Sequence, residues 1–150
     1  MSDPYYPHGW DCLWLAHDRN NRVGGFVTGG LGPIPVDLLD LNEPKVEDLE
    51  EMVSGLPKVS GSSLLVSFYP DPSSFIDLAE RGIFIYDWQA GAQSANAYQL
   101  VAAPTTPILL ASLPDKLREI TSLVKFAAND FSQATFLKVR EYFTCRGGRD

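Results

Sequence analysis

The stretch Gly29-Gly-Leu-Gly-Pro-Ile-Pro35 constrains the fold more than any other part of the chain. Its three glycines allow positive φ angles that other residues avoid, and its two prolines remove backbone N–H donors. A helix cannot run through such a sequence. Residues 29–35 are therefore predicted to form a shaped loop.

The residues before this loop predict a β-hairpin over 11–28. Residues 11–18, Asp-Cys-Leu-Trp-Leu-Ala-His-Asp, have the composition of a strand that is buried on both faces, and Val23–Thr28 form a second strand of similar character. Arg19-Asn-Asn-Arg22 lies between the two and indicates a turn, because asparagine tolerates left-handed backbone and bonds to its own chain.

Short helices and strands are predicted along the rest of the chain. Helices are expected at 44–55, after Asp71-Pro72 and after Pro114, with a short helical turn at 36–41. Strands are expected at 63–69, 83–88, 98–103 and, less decisively, 134–140, where the spacing of Phe136, Val139 and Tyr142 also fits a helix.

These elements predict one α+β domain over residues 1–150. We expect a single, mainly antiparallel sheet of about five or six strands, with about three helices packed against it. Residues 1–9, rich in Pro, Tyr and Gly, are expected to form an irregular arm, and residues 146–150 a frayed tail.

The overall charge excludes some classes of partner. The chain of 150 residues has 19 acidic and 12 basic residues, a net charge of −7 and a pI of about 4.7. Nucleic-acid binders need a basic face, and anionic lipid attracts basic segments, so neither partner is expected. A basic protein partner remains compatible with the charge.

Compartment and redox state are predicted from what the chain lacks. The N-terminal residues lack the basic and apolar regions of a signal peptide, and the apolar runs are too short to cross a membrane, which predicts a cytoplasmic protein. Cys12 and Cys145 are expected to be reduced, although a long-range disulfide between them is the alternative.

Acidic residues are concentrated in one part of the chain. Residues 37–51 hold seven acids and a single base, Lys45, whereas residues 116–150 are net basic. The simplest interpretation is a solvated helix face. The functional interpretation is a docking site for an electropositive partner, since a patch of one sign steers association. The candidate partner-binding residues are Asp37, Asp40, Glu43, Glu47, Asp48, Glu50 and Glu51.

Motifs for catalysis, metals or cofactors are not convincing in this sequence. His8, Asp11, Cys12, His17 and Asp18 are the only cluster of metal-type residues. On a strand, Cys12 and His17 point to opposite faces, which argues against both a metal site and a nucleophile–base pair. We expect instead that both histidines face solvent and that Cys12 is buried. The glycine loop leads into prolines rather than a helix N-terminus, which argues against phosphate binding. We expect no enzyme, no metal and no cofactor.

Two other features support alternative functions. Asp87 lies in the predicted strand between Tyr86 and Trp88, where burial would raise its pKa. A pocket near Asp87 and the Gly29–Pro35 loop would make the protein a small ligand-binding or enzymatic domain. The aromatic residues of the arm and its boundary, Tyr5, Tyr6 and Trp10, would suit an interface, including one that joins two copies of an adaptor subunit.

Several of these segments together resemble a group of small bacterial proteins. The resemblance rests on Asp11–Asp18, on Val23–Pro35, on the strand Gly82–Trp88, on Tyr98–Pro107 and on Leu113-Pro114. It covers most of residues 11–120. By type, such proteins are similar to the immunity proteins of polymorphic toxin and contact-dependent growth inhibition systems.

That resemblance implies a function but no individual binding residues. It implies a cytoplasmic antitoxin that binds the C-terminal toxin domain delivered by a neighbouring cell and blocks its active site. Basic nucleases are among the toxins implied, and an acidic surface would occupy the groove meant for phosphates. The matched residues form the fold, so the acidic candidates above rest on charge alone.

Overall fold

A seven-stranded sheet forms the centre of the fold. The computed structural model describes residues 5–89 and 96–147. In chain order, the strands are β1 (Leu13–Asp18), β2 (Val23–Val27), β3 (Ile34–Pro35), β4 (Ser62–Leu64), β5 (Phe84–Gln89), β6 (Ala97–Pro104), β7 (Lys125–Phe126), β8 (Phe136–Leu137) and β9 (Cys145–Arg146). The main sheet has the order β4-β6-β5-β2-β1-β7, with β8 also paired to β6, while β3 and β9 pair with each other.

The helices are short. They are α1 (Val36–Leu39), α2 (Leu49–Ser54), α3 (Ser73–Ala79) and α4 (Asp115–Thr121), with 3-10 turns at Val46–Asp48, Leu110–Ser112 and Val139–Glu141. Helices α2 and α4 contact β1, and α3 contacts β4, β5 and β6. Within the described residues, none of these helices has the length and apolar character needed to span a bilayer.

The predicted α+β class is confirmed, but the predicted sheet is wrong in two respects. The sheet is mixed rather than mainly antiparallel, because β5 runs parallel to β2 and β7 runs parallel to β1. It also has seven strands, and four helices accompany it. Between β2 and β5 the chain passes through α1, α2, β4 and α3, and that long crossover returns it in the same direction.

Several predicted elements are shorter than expected. The helix predicted at 44–55 is a 3-10 turn over Val46–Asp48 followed by α2. The strand predicted at 63–69 is reduced to β4, and the one predicted at 134–140 to β8, which is followed by a 3-10 turn. Strands β4 and β8 pair with β6 at the edge of the sheet, and α2 packs against β1, so tertiary contacts override local preference.

The predicted hairpin is confirmed, and a buried carboxylate closes its turn. The β1–β2 ladder runs from Leu13 opposite Val27 to His17 opposite Val23. Asp18 is fully buried, and its Oδ1 accepts the backbone N–H groups of Asn20 (2.9 Å) and Arg22 (3.0 Å). Its Oδ2 accepts the N–H of Phe131 at 2.8 Å, so one side chain joins the hairpin to a distant segment.

Aromatic rings cover one face of the sheet. Trp14, Phe26 and Tyr86 come from three neighbouring strands and stack at centroid distances of 4.2 and 4.8 Å. Phe131 packs edge-on against Phe26 and Tyr86, and the Tyr86 hydroxyl donates to the carbonyl of Ala134 at 2.6 Å. Residues 126–143 therefore form the layer that closes this face.

Helix α4 lies on the opposite face. His17 points to the face opposite that of Trp14 in β1, and its Nδ1 lies 3.0 Å from the carbonyl oxygen of Thr121 in α4. His8 is exposed, as the sequence suggested, whereas His17 is buried. The expectation that both histidines face solvent is thus wrong for His17, because α4 covers that face of the strand.

The chain at both ends of the described region is held against the Gly29–Pro35 loop. The Tyr6 hydroxyl donates to the carbonyl of Gly32 at 2.6 Å, and Tyr6 is buried. The tail predicted from residue 146 begins instead with β9, where Arg146 pairs with Ile34. Residues 148–150 lie outside the described part.

Candidate functional site

The seven predicted acidic residues occupy one continuous stretch of α1, the following loop and α2. Asp37 lies in the first turn of α1 and Asp40 caps its end, while Glu43 is in the loop. Glu47 and Asp48 belong to the 3-10 turn, and Glu50 and Glu51 to the first turn of α2. Six of the seven are exposed, and Glu47 is half-buried.

The fold brings an additional acid, Asp11, next to this stretch. Helix α2 contacts β1, and Asp11 lies two residues before that strand, next to the buried Cys12. Partial loss of hydration and the charge of Asp11 raise the pKa of Glu50. Burial raises the pKa of the Cys12 thiol to about 12, and the charges of Glu47, Asp11 and Glu50 add to that effect.

We call Asp11, Glu47 and Glu50 the acidic surface. Asp11 is far from Glu47 along the chain, so its sequence position indicates only a metal-type residue and not a neighbour of Glu47. The available signal was its place at the beginning of a buried strand that needs a covering helix. Asp37, Asp40, Glu43, Asp48 and Glu51 are exposed and stand outside this group, and the Asp48 carboxylate accepts the backbone N–H of Lys45 at 3.0 Å.

Exposed aromatic side chains border the acidic surface. Trp10, which precedes Asp11, is 61% exposed, and Tyr5 is 67% exposed. Tyr5 lines a cavity of about 210 Å³ together with Lys45 and Glu47. The prediction that Tyr5 and Trp10 are available for an interface therefore stands, whereas Tyr6 is buried in the protein's own core.

Carboxylates next to exposed aromatic side chains suit the recognition of cationic side chains. Uncompensated carboxylates attract lysine and arginine, and an exposed indole ring can receive a guanidinium group on its face. Tryptophan and tyrosine are also the residues that most often anchor protein interfaces. Within residues 5–89 and 96–147, no group of three or more histidine, cysteine or acidic side chains is arranged to hold a metal ion.

The Gly29–Pro35 loop uses its polar groups within the protein. Asp11 Oδ1 accepts the N–H of Gly29 at 2.9 Å, and Thr28 Oγ1 accepts that of Gly30 at 3.2 Å. The Tyr98 hydroxyl donates to the carbonyl of Pro33 at 2.9 Å. A side chain on Gly32 would come within 2.5 Å of that hydroxyl, which explains why glycine is needed there. The loop is thus a structural turn.

Asp87 of β5 takes part in a short chain of side-chain hydrogen bonds. The Tyr69 hydroxyl donates to Asp87 Oδ2, and Gln89 Nε2 donates to the Tyr69 oxygen at 2.9 Å. Burial raises the pKa of Asp87, partly offset by the Tyr69 hydrogen bond. The cavity beside Tyr5 and two others, of about 410 and 440 Å³, are not lined by Asp87 or by the glycine loop.

Each cysteine thiol donates to a backbone carbonyl two residues before it. Cys12 Sγ donates to the carbonyl of Trp10 at 3.3 Å, while His17 bonds to α4, so the predicted separation of this pair is confirmed. Cys12 and Cys145 are both free and buried, and burial raises the pKa of Cys145 to about 11.

An apolar cavity of about 410 Å³ lies between residues 56–59 and 106–113. Its most polar wall residue is Arg81, which is 9% exposed. The guanidinium donates to the carbonyls of Ser54 (2.8 Å), Leu56 (3.1 Å) and Asp77 (2.7 Å), and to the Asp77 carboxylate (2.8 Å). Arg81 therefore joins the end of α2 to α3 and serves the fold.

Comparisons with known proteins leave the site to be interpreted from its own chemistry. No protein-family model, curated protein sequence or solved structure matches this chain.

Proposed function

We propose that this chain is a cytoplasmic immunity protein that neutralises a cognate C-terminal toxin domain by binding it stoichiometrically. The observation that carries the proposal is the acidic surface formed by Asp11, Glu47 and Glu50, with the exposed Trp10 next to Asp11 in the chain. A basic nuclease domain, whose active-site groove attracts phosphates, is the kind of toxin that such a surface fits.

The charge pattern supports inhibition by occupancy. Electrostatic complementarity accelerates association, while a desolvated aromatic anchor at the centre of an interface slows dissociation. The acidic surface would supply the first effect and Trp10 the second. A chain acting in this way needs no catalytic residue of its own, because the toxin is blocked rather than modified.

The direct test is co-expression with the toxin-like C-terminal domain encoded beside its gene. We expect a one-to-one complex and survival of cells that otherwise die from the toxin. Absence of both a complex and rescue, with each protein folded, would refute the proposal.

Matched charge reversals then locate the binding site. E47K/E50K should slow association and weaken its dependence on salt, because two carboxylates that steer a basic partner become cations. D115K/E119K makes the same change in charge on exposed positions of α4 and is the control. If both double variants slow association equally, the slower rate is due to net charge rather than to the acidic surface.

The contribution of Trp10 to binding is tested separately from that of the carboxylates. Trp10→Ala should increase the dissociation rate about tenfold or more, the usual effect of losing an aromatic hot spot, while the association rate changes little. Tyr142→Ala removes an aromatic side chain that is also exposed, at 46%, but is distant in sequence, and it provides the control. Unchanged dissociation in Trp10→Ala would remove this residue from the proposed interface.

The second candidate function is a small ligand-binding or enzymatic domain. The half-buried chain of Tyr69, Asp87 and Gln89, with the raised pKa of Asp87, is the observation that favours it. A metabolite screen by thermal shift on the purified protein tests this function. A stabilising ligand whose effect is lost in Asp87→Asn would support it, and an effect retained in that variant would place the ligand elsewhere.

A further inference from the structure

Leu31 stands alone among the glycines of the Gly29–Pro35 loop and is 60% exposed. The glycines on either side of it, Gly30 and Gly32, are buried and carry no side chain that could cover it. A side chain built on Gly29 would meet no atom within 4 Å, so the surface there is open as well. The loop therefore presents one apolar side chain to solvent without shielding from its neighbours in the sequence.

The turn that carries Leu31 is held in place by the protein's own hydrogen bonds. Four consecutive N–H groups donate to acceptors within the chain, those of Gly29, Gly30, Leu31 and Gly32. Three of these four bonds end on Thr28, which is fully buried. A partner that binds Leu31 does not have to order this loop, so the cost in conformational entropy is small.

Trp10 lies near Leu31 because the arm crosses the loop. The N–H of Gly9 donates to the carbonyl of Gly30 at 3.0 Å, and a Cβ atom on Gly30 would stand 3.0 Å from the Gly9 Cα. Trp10 and Leu31 each directly follow one of these two glycines, so their Cα atoms are at most about 12 Å apart. Trp10 is 61% exposed. Single exposed apolar residues are ordinary, whereas neighbouring ones of this size indicate a contact site.

The acidic surface adjoins Trp10 and Leu31. Asp11 follows Trp10 in the chain, and its Oδ1 accepts the N–H of Gly29 at 2.9 Å. The carboxylates repel anionic lipid, and two copies that each carry a charge of −7 would repel one another here. The occupant that fits is a basic protein surface with an apolar hollow, whose cations meet the carboxylates while the hollow takes the two side chains.

We propose that Trp10 and Leu31 form the apolar centre of the surface that binds the toxin domain, with the acidic surface as its charged margin. This inference rests on the proposed function and adds to it a second anchor, which comes from the glycine loop. Apolar anchors near the centre of an interface carry most of its affinity, and the charges around them steer association. The glycine loop thus both turns the chain and presents a binding side chain.

The test measures dissociation of the whole chain from the toxin-like C-terminal domain encoded beside its gene, by surface plasmon resonance. Leu31→Ser should dissociate about tenfold faster because it loses apolar contact area, while its association rate stays close to that of the wild type. Leu31→Met keeps the size and apolar character and should dissociate as slowly as the wild type. Leu31→Lys should in addition associate more slowly, because it sets a cation against a basic partner.

The control is Leu123→Ser, which removes a leucine that is 47% exposed on another part of the chain and should leave dissociation unchanged. A wild-type chain that forms no complex would refute the proposed function and this inference with it. A wild-type complex whose dissociation is the same in Leu31→Ser and Leu31→Lys would overturn the inference alone. Equal acceleration in Leu31→Ser and Leu123→Ser would also overturn it, because the effect would not be specific to the loop.

Discussion

The carboxylate of Asp18 should be among the most important single side chains for stability. It is fully buried and accepts three backbone N–H groups, those of Asn20, Arg22 and Phe131. The change Asp18→Ala would leave these donors without an acceptor. Asn20 is exposed and Arg22 half-buried, so water can reach the turn, whereas the N–H of Phe131 is buried with its residue.

The expected magnitude follows from that difference. A buried donor without a partner costs about 1–3 kcal/mol, and a donor that water can reach costs less. We therefore expect Asp18→Ala to reduce the free energy of unfolding by about 3–5 kcal/mol. For a protein of this length, the midpoint of thermal unfolding should decrease by roughly 8–15 °C.

Urea unfolding followed by tryptophan fluorescence measures the effect. Asp18→Asn should give an intermediate loss, because its amide oxygen can still serve the turn while its NH₂ group faces the Phe131 donor. Asp71→Ala removes an exposed carboxylate that accepts one N–H, from Ser73, and should cost far less because water replaces it. A loss in Asp18→Ala below about 1 kcal/mol would refute the reasoning.

Three further predictions concern the core and the acidic surface. Tyr98→Phe removes the donor to Pro33 and the acceptor of the Trp14 indole N–H (3.1 Å), and urea unfolding should show a loss of about 2–3 kcal/mol. The Cys12 thiol, whose pKa is raised to about 12, should be alkylated slowly at about pH 8.5 in the native protein and rapidly in urea; fast native alkylation would contradict its burial. The pKa of Glu50 is raised in the folded state, so folding favours its protonated form, and the wild type should gain stability relative to Glu50→Gln as the pH falls from about 7 toward 4.5. Parallel pH profiles of the two proteins would show that Glu50 is not perturbed.

Local sequence signals predicted the parts of the fold that depend on neighbouring residues. Asn20 and Asn21 marked the hairpin turn, and Asn21 has a φ of 61° there. The glycine and proline stretch marked the loop. The direction of β5 beside β2 depends on a crossover of more than fifty residues, and no local pattern encodes it.

In the candidate site too, local sequence signals identified some residues, whereas those that depend on long-range packing were missed. Glu47 and Glu50 were identified because they lie in a dense acidic stretch. Asp11 was missed as their neighbour because its proximity depends on the packing of α2 against β1. The role of Asp18 in joining the hairpin to a distant segment was not predicted, because its partner Phe131 is 113 residues away along the chain.

The cover over the aromatic face has a consequence for synthesis on the ribosome. Trp14, Phe26 and Tyr86 are made well before residues 126–143, which shield them. At about 5–20 residues per second, translation from the end of β6 at residue 104 to residue 143 takes about 2–8 s. During that interval the nascent chain holds an uncovered layer of rings, which chaperones that bind exposed apolar segments would recognise.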